Sequence, residues 1–253
     1  MPGPRDALPR IVQALGEVFA DDLRCVLLKG SVLRGDHIPY FSDLDVHALV
    51  EGVGASRAPD WPRGLAFQRL IGGLDPEHFG VGAFQIELLA PGYHREWPTP
   101  LPGTYEVLFG EAPRSFAAAD PAEHLAAAPT SLARLAAVRD SLVAGLLDKP
   151  DRALPPRVRL LGTHLKGALL SAACLLTADP VRAHGSTRHA LVMLVGDALG
   201  VERELAVFYE LASTWRETRT RGEDLRAMWA MGMTTLDALA SWVPPAVPAT
   251  SSE

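Results

Sequence analysis

The sequence predicts an α+β protein: a mixed α/β domain over residues 1–119, an all-helical bundle over 120–243, and a disordered tail over 244–253. Three observations predict it. In the first half, short apolar runs of strand length alternate with stretches of helical spacing. A segment rich in alanine and proline, "RSFAAADPAEHLAAAPT", then intervenes, and beyond it the strand-like runs disappear. The end, "VPPAVPATSSE", is proline-rich and polar, a composition that cannot bury enough apolar surface to order itself. With 253 residues, 48% of them hydrophobic, the chain can build one large core or two small ones.

Each element has its own signal. Over 6–19, Leu8, Ile11, Val12, Leu15 and Val18 recur at helical spacing. "RCVLL" is a short buried strand ended by Gly30, and Ser31 can cap a short helix over "VLR" before "GDHIPY" turns the chain back. "DLDVHALV" is the second strand. "WPRGLAFQRLIGGL" is a helix closed by Gly72 and Gly73. "VGAFQIELLA" is a third strand, stopped by Pro91 and Gly92, and "TYEVLFG" a fourth. In the second half, helices are expected over 132–147, 156–177, 186–199, 201–219 and 224–242. Asp120-Pro121 and Ser186 serve as starts, Gly200 and Gly222 as breaks.

Composition excludes several classes of function. The formal charge is −6, and neither half has the excess of lysine and arginine that binding along a phosphate backbone requires, so long nucleic acid is not an expected partner. No run of about 18 uncharged apolar residues occurs, so no membrane span is expected. The opening "MPGPRDALPR" lacks the apolar centre of a signal peptide. Cys25 and Cys174 fall far apart in apolar stretches and read as core thiols of a cytoplasmic protein.

The segment "KGSVLRGDHIPYFSDLDVHALV" carries the chemistry. Residues i and i+2 of a strand share a face, so Asp43 and Asp45 project together while Leu44 and Val46 turn into the core. Two carboxylates held that close repel unless a cation lies between them. Hard oxygen ligands of this kind suit Mg²⁺, which takes one or two carboxylates plus substrate phosphates. Gly30 permits close backbone approach, the N–H groups at the helix start offer themselves to an anion, and the Ser31 hydroxyl and Arg34 add a donor and a charge. A phosphate cradle and a metal pair joined by one short crossover make a nucleoside-triphosphate site.

The string G-S-x-x-R-G, followed by S-D-L-D on the next strand, resembles the signature of the DNA polymerase beta-type nucleotidyltransferase superfamily. More narrowly, it resembles the aminoglycoside nucleotidyltransferases and their small bacterial relatives. Gly30, Ser31, Arg34, Gly35, Ser42, Asp43 and Asp45 occupy the positions of that pattern. The resemblance implies a nucleotidyltransferase-type domain that moves AMP from ATP, with Mg²⁺, onto a hydroxyl of a small molecule; an aminoglycoside-type antibiotic is the acceptor it suggests. It also implies a third acidic residue on a later strand. In "FQIELL", Gln85 and Glu87 share a face opposite Ile86 and Leu88, and Glu87 is the candidate, as third metal ligand or as the base for the acceptor hydroxyl. Glu106 and Glu111 are alternatives.

The helical half resembles the all-helical domain that follows the catalytic domain in those enzymes. If so, Lys166 or Arg188 would reach the triphosphate, and Glu202, Glu204 or Glu210 would line the pocket of a cationic acceptor. His47 is expected on the face opposite both aspartates. Arg159 and His164 match the R-x4-H spacing of helical ribonuclease toxins, a spacing that 21 arginines and 8 histidines produce by chance. Two rival functions are an antitoxin-like enzyme that adenylylates a helical protein partner and a catalytically silent nucleotide-binding protein. Oligomeric state has no signal in the sequence.

Overall fold

A computed structural model describes residues 2–53, 59–89, 98–147 and 150–243. The chain is α+β and divides into two compact units, Met1–Asp120 and Pro121–Glu253, within one residue of the expected boundary. The second unit is helical among its described residues. The expected Pro91-Gly92 strand stop and the tail lie outside the described residues.

The first unit is built on one sheet. After a 3-10 turn at Pro4–Ala7, helix α1 (Leu8–Phe19) buries Leu8, Ile11, Leu15 and Phe19, the stripe that its spacing announces. Strand β1 (Leu23–Lys29) runs directly into α2 (Gly30–Arg34), followed by β2 (Leu44–Val50), α3 (Trp61–Ile71), β3 (Phe84–Leu89), β4 (Glu106–Gly110) and the single turn α4 (Arg114–Ala117). The strand order is β3-β2-β1-β4. β1 lies antiparallel to β2 and β4, while β2 and β3 are parallel, as a connection carrying a helix permits.

The two faces of this sheet differ. Leu44, Val46, Ala48 and Val50 of β2 join Val26 and Leu28 of β1 beneath α1, in a cluster that also draws in Ile86 and Leu88. Each such buried Leu or Val contributes ~1.5–3 kcal/mol relative to exposure. Among the described residues, the opposite face holds a small cluster, Cys25, Leu27, Leu49 and Leu89 around Phe116, at the end away from the aspartates.

Three local expectations change. β2 begins at Leu44, so Asp43 precedes the strand instead of opening it. Helix α2 starts at Gly30 with Lys29 at its cap, and Ser31 lies inside the first turn, 4% exposed, rather than capping it. His47 shares the face of Asp45, because 45 and 47 are two apart; the opposite-face assignment contradicts strand alternation.

In the second unit, α5 (Pro121–Ala133) already occupies the second part of the alanine- and proline-rich stretch, and α6 (Leu135–Leu147) follows. α7 (Pro150–Thr177) starts ahead of Pro155 and Pro156 instead of at the latter. A short α8 (Pro180–Gly185), capped by Asp179, was not expected; α9 (Arg188–Leu199) is capped by Thr187 rather than Ser186. The span 201–219 splits at Thr214 into α10 (Glu202–Ser213) and α11 (Trp215–Thr218), and α12 (Gly222–Ser241) takes in Gly222, the glycine expected as the break before it. Central α7 packs against α5, α6, α8, α9 and α12. Gly232 lets α12 approach: a Cβ there would sit 2.7 Å from Leu161 Cδ2 and 3.0 Å from Phe208 Cε2. The stretch Arg152–Thr177 is long and apolar enough to cross a membrane by length and composition, and 50% of its most apolar window is buried, as in a core helix.

Candidate functional site

The site starts where β1 ends. Lys29 is the register partner of Asp45 across the antiparallel pair, and the next residue, Gly30, has φ +75°. A Cβ on Gly30 would overlap Asp45 Oδ2 and lie 2.8 Å from Asp45 Cγ. Both the left-handed backbone and the carboxylate packed against it demand glycine. The absent side chain thus places a main-chain turn directly on a carboxylate. Helix α2 has only five residues, so any anion held at its start is held by individual N–H groups rather than by a long helix dipole.

The second carboxylate is held by its neighbours. Leu44 N–H donates to Ala83 O at 2.9 Å and Gly82 N–H donates to Ser42 O at 2.8 Å, which clamps both sides of Asp43 to the approach of β3. Ser42 Oγ accepts from Ile38 N–H at 2.8 Å, and Ser42 N–H donates to Ile38 O at 2.9 Å. Tyr40, at φ +63°, donates its N–H to Gly80 O at 2.9 Å. The loop between α2 and β2 is therefore stitched to residues 80–83. Leu44, between the two aspartates, is fully buried on the closed face.

The parallel register decides what surrounds Asp45. Its partner on β3 is Gln85, and His47 is the partner of Glu87. Gln85 Nε2 donates to Glu87 Oε1 at 2.9 Å, while Glu87 Oε2 lies 3.7 Å from His47 Nε2. The His47 side chain is 12% exposed and that of Glu87 36%. Strand spacing and rise put the Cα atoms of Asp45 and Glu87 about 8 Å apart. Among the described residues, no group of three or more His, Cys, Asp and Glu is gathered closely enough to hold a metal ion. Asp43 and Asp45 supply two hard oxygen donors beside a cradle that a Cβ would fill. That set fits Mg²⁺ completed by water and phosphate oxygens, and does not fit an all-protein cage.

The remaining candidates are placed as follows. Arg34 ends α2, at the opposite end from Gly30, and pairs with Asp36 at 3.4 Å. Glu106 faces away from Asp45 toward the Pro4–Ala7 turn, where Arg5 binds both its oxygens at 3.0 and 2.9 Å. Hydrogen bonding to that guanidinium holds its carboxyl below the usual carboxylate range. Glu111 follows β4 directly. In the second unit, Lys166 is exposed on α7, and Arg188 opens α9 with its guanidinium 5.5 Å from the Tyr209 ring centroid. Glu202 and Glu204 lie in the first turn of α10, and Glu210 lies further along it. Arg159 and His164, five residues apart on α7, are rotated by about 140° from one another, so no ribonuclease-like pair forms. Burial lowers the pKa of His164. Cys25 and Cys174 are buried free thiols, each pushed up to about 11 by burial, as expected of core cysteines.

Sequence reasoning missed Lys29 and His47 as members of this face. The alternation that selects Asp43 and Asp45 also selects His47, and Lys29 immediately precedes the glycine. No family model, curated protein or solved structure matches the chain.

Proposed function

We propose that the Met1–Asp120 unit is a Mg²⁺-dependent nucleotidyltransferase that moves AMP from ATP onto a hydroxyl of a small molecule. The observation that carries this reading is the Gly30 turn resting on the Asp45 carboxylate. A phosphate-binding turn and a charge that would repel phosphate have no reason to be in contact unless a cation mediates between them. Asp43 and Asp45 would hold Mg²⁺, which supplies charge neutralisation of the triphosphate. Gly30 and Ser31 contribute backbone N–H groups to the outer phosphates, and Lys29 brings a positive charge beside Asp45.

Glu87 accepts the proton of the acceptor hydroxyl. Its place beside His47, and not beside Asp45, favours this role over that of third ligand. Gln85 fixes one carboxylate oxygen by donating to it, which keeps the other oriented for the proton. The hydroxyl oxygen bonds to the α-phosphorus as the α–β anhydride breaks, and pyrophosphate leaves. Alignment and charge neutralisation provide most of the rate enhancement in displacements of this kind.

Titration calorimetry with ATP tests the reading. Binding is expected with Mg²⁺ and is expected to be lost with EDTA, because the triphosphate and the Asp43/Asp45 pair repel without it. Equal affinity in both conditions would remove the metal site from consideration.

A further inference from the structure

We infer that the outer edge of β3 takes an extended peptide as an added strand, with an apolar side chain at one position and a basic one at the next. The main-chain edge of β3 there meets a cavity of about 380 Å³ between the end of α1, helix α3 and the strand. Such binding needs no nucleotide and stands apart from the transferase reading.

β3 ends the strand order β3-β2-β1-β4, and among the described residues no strand pairs with its outer side. Leu44 N–H donates to Ala83 O, and Leu44 is the register partner of Phe84. That parallel pattern turns the main-chain groups of Gln85 and Glu87 toward β2 and those of Phe84, Ile86 and Leu88 outward. The strand is also less covered than its neighbour. Phe84, Ile86 and Leu88 are half-buried, whereas Leu44, Val46 and Ala48 of β2 are buried. Neither a proline nor a bulge blunts this edge.

The cavity supplies a pocket for one side chain. Phe19, Pro59, Phe67, Ile86 and Leu88 form its apolar wall, on the α1 side of the sheet. Glu87 lines it too, but strand alternation turns that side chain to the opposite face, so its share of the wall is main chain. An apolar cavity that opens on the main chain of an edge strand is what strand addition uses. Ladder hydrogen bonds hold the peptide, and pockets select its alternate side chains. The volume takes one large aliphatic or aromatic side chain.

The opposite face supplies the charge. The next side chain of an added strand points there, beside Gln85 and Glu87. Glu87 is the one charged residue of β3, and its side chain is 36% exposed. Lys29 stands two strands further in, across from Asp45. A basic side chain on the peptide complements Glu87. On the cavity side, Arg63 is taken up by Asp60 and Asp22 at 2.7 and 2.9 Å, which leaves that wall to apolar contact. On the transferase reading, a peptide seated there would cover Glu87 and compete with the acceptor hydroxyl.

The experiment titrates the full chain with a fluorescently labelled peptide RFRVR, without nucleotide, following anisotropy. Saturable binding is expected. The rearranged peptide RRRFV keeps charge and composition but loses the alternation, and should bind at least about tenfold more weakly. RFRVR N-methylated throughout has no ladder donors and should lose at least as much. Gly64 also lines the cavity, and a Cβ there would meet Pro59 Cγ at 3.4 Å, an ordinary contact. Gly64→Leu fills the cavity from a helical position and should weaken RFRVR at least about tenfold, with the melting temperature unchanged. Absence of saturable binding to the wild type overturns the proposal without recourse to the variant. So does an affinity for RRRFV or for the methylated peptide equal to that for RFRVR. A folded Gly64→Leu protein that binds RFRVR like the wild type overturns it as well.

Discussion

One face of the four-stranded sheet is closed by α1, with Leu44, Val46, Ala48 and Val50 packed beneath it, while the other carries Asp45, His47, Gln85 and Glu87 along the same two strands. A single strand, β2, serves both. Its even-numbered residues stabilise the fold, and its odd-numbered ones from 45 to 47 hold polar chemistry. The comparison teaches how a small domain tolerates carboxylates on a core strand. Burial on one side offsets the strain and repulsion on the other, and the period of two keeps the two functions from interfering.

Substitutions on the two faces should therefore separate activity from stability. The largest effect expected is that of Asp45→Asn. On the proposed reading, losing a carboxylate that holds Mg²⁺ would remove several kcal/mol of charge stabilisation, so transfer should fall about a thousandfold or more. Thermal unfolding in metal-free buffer should change by only a few degrees. Relief of repulsion with Asp43 is countered by loss of the cross-strand partner of Lys29. A collapsed melting temperature would mean that Asp45 is a structural residue and that the two faces are not independent.

Glu87→Gln should come next, lowering the transfer rate by about 10²–10⁴ with Mg²⁺-ATP affinity unchanged, as for a base that holds no metal. Parallel rate and calorimetric measurements check it. A matching loss of nucleotide affinity would make Glu87 a ligand despite its register with His47.

Leu44→Ala provides the counterpart on the closed face. Its side chain is fully buried, and truncation should cost about 2–5 kcal/mol of stability by urea unfolding. Activity per folded molecule should remain near wild type. A specific activity that fell with stability would show that the core sets the carboxylate geometry closely.

The smallest effect belongs to Glu106, on the sheet's other edge strand. Arg5 depresses its carboxyl pKa, so the stabilisation is present above the ordinary carboxylate range and is lost as pH falls through the lowered folded value. The side chains are 50% and 40% exposed, and solvent screening keeps the pair within about 1 kcal/mol. Glu106→Gln should lower stability slightly at neutral pH and have no effect in strong acid, by denaturant titration at both. A transfer defect in this variant would place the catalytic carboxylate on the wrong strand.

Local features of the site could be read directly from the chain. Gly30 and Ser31 follow an apolar strand, and Asp43 and Asp45 flank a core leucine; both patterns lie within a few residues and depend only on strand period and turn chemistry. Other features needed the third dimension. α8 was invisible because six residues carry too little periodicity, and the first turn of α7 was hidden by prolines that normally mark helix starts, whereas the start of α5 was legible at Asp120-Pro121. The face of His47 is legible in the strand period, two residues on from Asp45.

The sequence by itself determined that this protein is α+β, that its strand-forming half precedes an all-helical half, and that paired carboxylates stand near a glycine turn. Each follows from periodicity and from the few conformations open to glycine and to short polar residues. Only the tertiary structure decided that Gly30 rests on Asp45, that Gln85 and not Glu87 is the neighbour of Asp45, and that α3 leaves an apolar cavity beside β3. Register is a property of two strands far apart in the chain, set by which apolar side chains must share a core. A cavity is the space that several elements fail to fill, so neither can be written in any one of them.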